Sequence, residues 1–305
     1  MLIFHFSQNP PQRCYYNNMN IAVAKILFLI FFFLTGAVLG SFACCQAWRI
    51  HLKESGKKKI NGKTVGNRSV CLSCGHQLSA TENIPILSWI FLRGKCKKCG
   101  KKIGLAEILS ELSLGAVFLI LGFFIWPDII SIHSFNWGIV LYFVNLTLLV
   151  VGFVLMWILM IYDAKWGKLP TFLLVTVTIV AALFFFTKLL SIVISGTFST
   201  DAWPLVLSLI GSVAILAGIY YLLYKLSREK LVGGGDWILA LAIAIMLGSW
   251  WLALIALFLS NFLASIYGIA QKIKTKSSLI YFGPFLVIAF VIVFFCQSWL
   301  LRLSF

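Results

Sequence analysis

Long apolar runs separated by short polar segments dominate this chain. The runs cover roughly 21–48, 105–126, 137–162, 169–190, 203–224, 238–250, 252–270 and 280–301. A helix needs about 20 apolar residues to cross the hydrocarbon core of a bilayer, and all but the sixth run reach that length. Because lipid offers the backbone no hydrogen-bond partners, such runs must form helices. The pattern predicts an all-α polytopic membrane protein with about eight transmembrane helices.

Composition supports a membrane protein and changes how the charge is interpreted. Of the 305 residues, 61% are hydrophobic and only 11% are charged, and the mean hydropathy is +0.99. The net charge of +16 resembles that of a nucleic-acid-binding protein. However, the lysines and arginines collect in the loops of one membrane face, as the positive-inside rule predicts for the cytoplasmic face. We therefore predict anionic inner-leaflet lipids, and no nucleic acid, as partners of this charge.

The same charge pattern fixes the predicted topology and the domain boundaries. Most of the positive charge lies in 49–104, and the later loops of that face carry Lys225, Arg228, Lys230, Lys272, Lys274 and Lys276. The segment 49–104 is therefore predicted to be cytoplasmic, and with eight spans both termini face the other side. We divide the chain into a polar extension (1–20), a first span (21–48), a cytoplasmic domain (49–104) and a seven-span membrane domain (105–305). Met19 directly precedes the first apolar run and is a second candidate start of translation.

Four cysteines in the cytoplasmic domain have the spacing of a metal site. Cys71 and Cys74 form one Cys-x-x-Cys pair and Cys96 and Cys99 a second, with 21 residues between the pairs. Four thiolates suit a tetrahedral zinc ion, and the closed shell predicts a structural role. A reducing compartment favours metal over disulfides, although four unligated thiols or two disulfides are the alternatives. The other cysteines show no ligand spacing, and we interpret them as packing residues; they are Cys14, Cys44, Cys45 and Cys296.

Two aspartates lie at the predicted cytoplasmic border of the membrane. Asp163 ends the third apolar run, and Asp236 opens the sixth after Gly233-Gly234-Gly235. Ionisable residues at such positions are functional candidates, because lipid makes them costly. Two neighbouring carboxyl groups are expected to share one proton, so that one activates water while the other donates to a carbonyl. The alternative is structural: each aspartate caps a helix or pairs with a lysine.

Several short motifs, in this order, resemble those of one family. They are Gly40-Ser41-Phe42, Asn83-Ile84-Pro85-Ile86-Leu87-Ser88-Trp89, Leu92-Arg93-Gly94-Lys95-Cys96, Glu111, Asp163 with Lys168-Leu169-Pro170, Gly234-Gly235-Asp236, and Phe282-Gly283-Pro284-Phe285. From about residue 36 to residue 284 the chain resembles the type IV prepilin leader peptidases. These are bacterial Gly-x-Gly-Asp membrane aspartyl proteases and N-methyltransferases.

The resemblance implies an activity, a location and a substrate. A member of this family is a multi-pass protein of the bacterial inner membrane, and it cleaves the basic leader from type IV prepilins or pseudopilins at the cytoplasmic face. It then methylates the new N-terminal residue with S-adenosylmethionine. By this resemblance Asp163 and Asp236 form the protease pair. The sequence assigns no residue to the methyl-donor site.

Some positions differ from the family pattern. Thr171 replaces an aspartate after the proline, Ile238 stands where a lysine often follows Gly-x-Gly-Asp, and Glu107-Ile108 replaces a Tyr-Pro pair. The differences leave both aspartates in place, and they motivate the alternative of a peptidase without methyltransferase activity. A zinc-knuckle scaffold or transporter without catalysis is a further alternative.

Overall fold

The structure is a computed structural model, and it describes residues 18–56, 59–60, 63–64, 69–71, 73–79, 81–130, 137–194, 203–228, 232–275 and 281–303. Most of the predicted polar extension, residues 1–17, lies outside this part. The α-helices are α1 Asn18–Glu54, α2 Leu87–Phe91, α3 Leu105–Ile130, α4 Trp137–Trp166, α5 Thr171–Ile194, α6 Trp203–Ser212, α7 Ile219–Ser227, α8 Asp236–Leu247, α9 Trp250–Thr275 and α10 Gly283–Leu300. A π-helical segment, Val213–Gly218, joins α6 to α7, and the strands β1 Lys59–Ile60 and β2 Lys63–Thr64 pair antiparallel.

Seven helices are long and apolar enough to cross a membrane, with α6, the π segment and α7 forming one continuous span. The predicted spans therefore coincide with helices, and the sixth is the exception in length. It is α8, which has 12 residues and a length of about 18 Å at 1.5 Å per residue. The described membrane part is a multi-pass helical bundle in which α8 is short beside the seven long spans.

The short helix α8 lies in the middle of the bundle. Leu239, Ala240, Ala242, Ile243 and Ala244 are all 0% exposed, and α8 packs against α5, α10 and the π segment. A helix that is apolar on every face belongs in the interior of a bundle. Protein neighbours therefore surround α8, which explains why it does not need the length of a membrane-crossing helix.

Helices α1 and α3 approach each other closely at two glycines of α1. A Cβ atom at Gly36 would lie 2.6 Å from the carbonyl oxygen of Leu114, and one at Gly40 would lie 2.5 Å from that of Ser110. The Ser110 hydroxyl donates a hydrogen bond to the Gly40 carbonyl at 2.8 Å. Small residues at helix contacts allow this close approach within membranes. The cytoplasmic region connects the end of α1 to the start of α3, so this helix pair fixes the positions of both ends of that region.

Candidate functional site

Asp163 lies in the last turn of α4, and its side chain is 5% exposed. The backbone N–H of Gly283, at the start of α10, donates a hydrogen bond to Asp163 Oδ2 at 2.9 Å. A Cβ atom at residue 283 would lie only 2.7 Å from that oxygen, so glycine is required for the contact. The Phe-Gly-Pro motif therefore brings a backbone donor to the carboxylate.

Asp236 is the first residue of α8, and its side chain is 8% exposed. Its Oδ2 accepts a hydrogen bond from the N–H of Gly233 at 3.0 Å, and its own N–H donates to the Gly233 carbonyl at 3.1 Å. The residue preceding the helix is Gly235, without a side-chain cap. The carboxylate thus holds the glycine turn and does not cap α8.

The glycine turn before α8 packs against the segment that follows α4. A Cβ atom at Gly235 would lie 2.7 Å from the Leu169 side chain, which places the glycine turn against the residues that follow α4. The two carboxyl groups are close enough to repel each other electrostatically. The structure therefore brings together the two acids predicted from the sequence, each with one backbone N–H donor.

A polar group lies deep in the bundle next to Asp236. The hydroxyl of Tyr220, which is 1% exposed, shares a hydrogen bond with Ser260 at 3.1 Å and accepts one from Asn261 at 2.9 Å. The Tyr220 ring contacts Phe282, with ring centroids 5.3 Å apart. Tyr220 is the second residue after the π segment, and such segments often occur at functional sites. The sequence analysis did not single out Tyr220, Ser260 or Asn261.

An aromatic cluster lies between the last turn of α4, which carries Asp163, and the end of α1. The rings of His51 and Trp166 stack with centroids 4.1 Å apart, and Trp48 and Tyr162 contact Trp166 at 5.0 and 4.7 Å. The Tyr162 hydroxyl donates a hydrogen bond to Glu54. This cluster ties the end of α1 to the end of α4.

The four predicted metal ligands converge in the cytoplasmic region. All four sulfur atoms of Cys71, Cys74, Cys96 and Cys99 lie within 4.8 Å of one another. Two of the pairs join one cysteine of each motif, with Sγ–Sγ distances of 3.9 Å for Cys71 and Cys99 and 4.0 Å for Cys74 and Cys96. Four sulfurs at about 2.3 Å from a zinc ion lie about 3.8 Å apart. The residues therefore fit a tetrahedral ion.

Each cysteine pair lies in the same kind of turn. The N–H of Gly75 donates to the Cys71 carbonyl, and that of Gly100 to the Cys96 carbonyl, each at 2.9 Å. Both glycines have a φ of +67°, which glycine adopts readily. One bridge closes each turn, between Val70 and Gln77 in the first and between Lys95 and Lys102 in the second. Two equivalent knuckles thus each present two thiols.

His76 does not take part in the cysteine cluster. Its Nε2 lies 3.3 Å from Glu82 Oε2, an oxygen that also accepts hydrogen bonds from the N–H and hydroxyl of Ser79 at 2.8 and 2.9 Å. The Ser79 donors lower the pKa of Glu82 below its ordinary value. Hydrogen bonds from Ser79 therefore fix Glu82 within the cysteine region.

Comparison with known proteins identifies the family. Residues 34–125 match the model described as the Bacterial Peptidase A24 N-terminal domain. The chain is 30% identical over 276 residues to the prepilin leader peptidase/N-methyltransferase of Vibrio cholerae serotype O1, an alignment that covers 89% of this chain and 98% of that protein. The chain belongs to the prepilin leader peptidase/N-methyltransferase family.

Other relatives carry the same name. The Dichelobacter nodosus protein is 33% identical over 253 residues, covering 80% of this chain and 77% of that protein. The Klebsiella pneumoniae protein is 29% identical over 227 residues, covering 73% and 86%. No solved structure matches the chain. Family membership and the seven long apolar helices make this a multi-pass protein of the bacterial inner membrane.

Two glutamates at the start of α3 have contacts that the sequence did not predict for this prepilin peptidase family member. Glu107 lies 3.6 Å from the Lys165 ammonium. Glu111 Oε2 accepts a hydrogen bond from the Ile86 N–H at 2.7 Å. Ile86 has a φ of +63°, a costly conformation for a β-branched residue. Glu111 therefore holds a strained turn within the Asn83–Trp89 motif.

Proposed function

We propose that this protein cleaves the leader peptide from type IV prepilins or pseudopilins and then methylates the new N-terminus with S-adenosylmethionine. The observation that carries the proposal is the convergence of two buried carboxylates from separate helices, each with one oxygen held by a backbone N–H. The family relatives bear the name of both activities.

Asp163 and Asp236 are the proposed protease pair. The ionised carboxylate removes a proton from water, and the resulting hydroxide attacks the scissile carbonyl carbon while the protonated carboxyl donates its proton to the carbonyl oxygen. When the tetrahedral intermediate collapses, the C–N bond breaks and the leaving amine takes up a proton from the pair. The N–H group of Gly283 binds one carboxyl oxygen of Asp163, and that of Gly233 binds one of Asp236. These bonds orient the other oxygen of each carboxyl group for proton transfer.

The proposed methyl transfer follows on the new N-terminal amine. The amine, having lost a proton to solvent, forms a C–N bond with the methyl carbon, whose bond to sulfur breaks and leaves a neutral thioether. No metal is needed for this step. We place the proposed zinc in a structural role, because Cys71, Cys74, Cys96 and Cys99 would fill its tetrahedral shell without an open position.

The positive charge of the cytoplasmic region suits a membrane surface. Lys97, Lys98, Lys101 and Lys102 are exposed beside the second knuckle. Because prepilin leaders are basic, they would be repelled by these side chains, whereas anionic headgroups would be attracted. We therefore propose that inner-leaflet lipids are the partners of this surface.

The experiment that tests the proposal incubates the detergent-solubilised protein with a prepilin and S-adenosylmethionine and reads the product by mass spectrometry. The expected product is a shortened pilin with one added methyl group, and it is absent with Asp163→Ala or Asp236→Ala. Cleavage without the methyl group would instead select the peptidase-only alternative. Processing that persists in both variants would remove the aspartates from the mechanism.

A further inference from the structure

A polar cluster joins helices α7 and α9 within the membrane part of the bundle. The Tyr220 hydroxyl on α7 lies 3.1 Å from the Ser260 hydroxyl on α9 and accepts a hydrogen bond from the Asn261 amide at 2.9 Å. Tyr220 is 1% exposed and Ser260 is 0% exposed. Polar side chains are costly inside a membrane bundle, and they are kept where they bond across helices or serve a function. The cluster therefore holds the Tyr220 side chain at a fixed place against α9.

The hydrogen bonds of the cluster also show where the Tyr220 proton lies. Ser260 Oγ is 3.0 Å from the Leu257 carbonyl oxygen, and that oxygen can only accept, so it takes the single hydroxyl proton of Ser260. The Tyr220 hydroxyl must then donate to Ser260. Asn261 Nδ2 donates both to Tyr220 and to the Leu257 carbonyl, the latter at 2.7 Å. The proton of Tyr220 thus points to α9 and not to an aspartate, which leaves Tyr220 a role in position rather than in proton transfer.

The Tyr220 ring contacts the segment that supplies the backbone donor to Asp163. Its centroid lies 5.3 Å from that of Phe282, which is the residue directly before α10. The next residue, Gly283, donates its N–H to Asp163 Oδ2 at 2.9 Å. Aromatic rings at this separation attract each other. A displacement of Tyr220 would therefore move Phe282 and with it the N–H donor.

Helix α7 also borders the second aspartate. The charge of Asp236 acts on the Tyr220 hydroxyl. Farther along α7, the Tyr224 ring would lie 3.4 Å from a Cβ atom at Gly234, in the glycine turn before α8. Helix α7 is thus in contact with the segments that support both carboxyl groups.

We propose that Tyr220 is a positioning residue for the protease pair. Its hydroxyl is fixed to α9, its ring fixes Phe282, and Phe282 sets the place of the Gly283 N–H at Asp163. The inference rests on the proposed function, because it concerns how the pair is held for cleavage. Catalytic groups keep a productive geometry only when packing and hydrogen bonds fix the residues around them.

The test compares prepilin cleavage by the full-length protein in detergent with cleavage by its Tyr220→Phe variant. Phenylalanine keeps the ring but releases it from α9, so kcat should fall about tenfold, less than the roughly hundredfold loss that a 1 Å misplacement can cause. KM should stay within about twofold of wild type, because the lost hydroxyl is bonded within the protein. Tyr142→Phe is the matched control: it loses a buried hydroxyl bond to Asp128 at 3.3 Å, near the opposite end of the bundle, and should keep the wild-type kcat.

A double variant separates positioning from a general loss of stability. Gly283→Ala already disrupts the N–H bond to Asp163, so adding Tyr220→Phe to it should lower kcat by no more than about twofold further. Ser260→Ala removes the acceptor of the Tyr220 proton and should lower kcat as Tyr220→Phe does. Losses from Tyr220→Phe and Gly283→Ala that simply multiply would overturn the inference.

Amide hydrogen exchange measures the same contact without reference to activity. Residues 281–290 should exchange faster in Tyr220→Phe than in wild type or Tyr142→Phe, because the start of α10 opens more often; unchanged exchange there would contradict the inference.

The unfolding midpoint of each variant shows whether it is folded. If folded Tyr220→Phe cleaves prepilin with the wild-type kcat while Asp163→Ala does not cleave it, only this inference fails and the proposed function stands. If wild type cleaves no prepilin, the proposed function and this inference fail together.

Discussion

At the scale of single residues, the two aspartates occupy positions that stability alone does not explain. A carboxylate removed from water is costly unless hydrogen bonds replace the lost hydration. Asp163 receives one described backbone donor from Gly283, and Asp236 one from Gly233, and the charge of Asp236 acts on Asp163. The arrangement costs stability, which is typical of a pair of groups retained for their chemistry.

Replacing either aspartate should abolish cleavage. Asp163→Asn and Asp236→Asn keep the shape but remove the ability to exchange a proton, so we expect the cleavage rate to fall by about a thousandfold or more. Asp128→Asn is the control: this aspartate lies near the opposite end of the bundle and accepts a hydrogen bond from Tyr142. Rates from a prepilin gel assay in which all three variants resemble wild type would contradict the assignment.

The backbone donor to Asp163 should matter nearly as much as the acid. Gly283→Ala would place a methyl group 2.7 Å from Asp163 Oδ2, so α10 must shift and the hydrogen bond must lengthen. We expect kcat to fall about tenfold to a hundredfold, because a misplaced catalytic group costs that much, with KM nearly unchanged. Gly218→Ala serves as control, since the nearest atom to its added methyl would be 3.7 Å away. Equal kcat values for the two variants would refute the role of this N–H.

The sequence predicted the acids and the thiols but not the groups that hold them. The aspartates stand out because ionisable side chains are costly in a membrane, and the cysteines stand out because they are regularly spaced. Gly283 belongs to a motif that the sequence analysis quoted, but its contact with Asp163, 120 positions away in the chain, required the structure. Glu111 is similar, because its role depends on the φ angle of Ile86.

At the scale of elements, the two knuckles are the clearest case of local sequence determining local structure. Each Cys-x-x-Cys-Gly segment forms the same turn, with the same hydrogen bonds and the same positive φ at glycine. Each knuckle alone offers two ligands, and only their meeting completes a tetrahedral set. The described residues between α1 and α3 form only short helices and strands, so a bound metal would stabilise this region.

Removing one ligand should therefore release the metal. We expect purified wild type to contain about one zinc ion per chain, and Cys71→Ser to contain less than half of that by inductively coupled plasma mass spectrometry. Cys296→Ser should match wild type, because Cys296 lies on α10, away from the cluster. Unchanged zinc in Cys71→Ser, or no zinc in wild type, would exclude the proposed centre.

Helix α8 shows where hydropathy stops being informative. The apolar run at 238–250 correctly predicts a helix, and its shortness is visible in the sequence. Its place in the middle of the bundle is not, because a uniformly apolar helix suits both lipid and protein neighbours. The burial of α8 on all sides depends on α5, α10 and the π segment, which come from distant parts of the chain.

At the scale of the whole molecule, the order of spans and the positive-inside rule predict which face holds the site. Both aspartates lie at the helix ends that border the lysine-rich loops, and exposed tryptophans, Trp137 and Trp203, begin helices at the other end. Tryptophan is enriched at membrane interfaces. The sequence supplied this orientation, whereas the packing of the helices around α8 required the structure.

The orientation can be checked with a reagent that does not cross membranes. In spheroplasts, Trp137→Cys should react with an impermeant maleimide, and Lys98→Cys should react only after the membrane is permeabilised. Both positions are exposed, so a difference in labelling reports the side of the membrane. Labelling of Lys98→Cys in intact spheroplasts would reverse the topology and move the aspartates to the outer face.

The end of α4 lies where the membrane helices meet the cysteine region. Asp163 and Lys165 are two residues apart, about 3 Å along the helix axis, and Lys165 lies against Glu107 and Trp48. The cysteine region shares a cavity wall with these side chains, so a cytoplasmic segment on its way to the proposed protease pair would pass beside it. The cysteine region would then restrict which chains reach the aspartates before any peptide bond is broken.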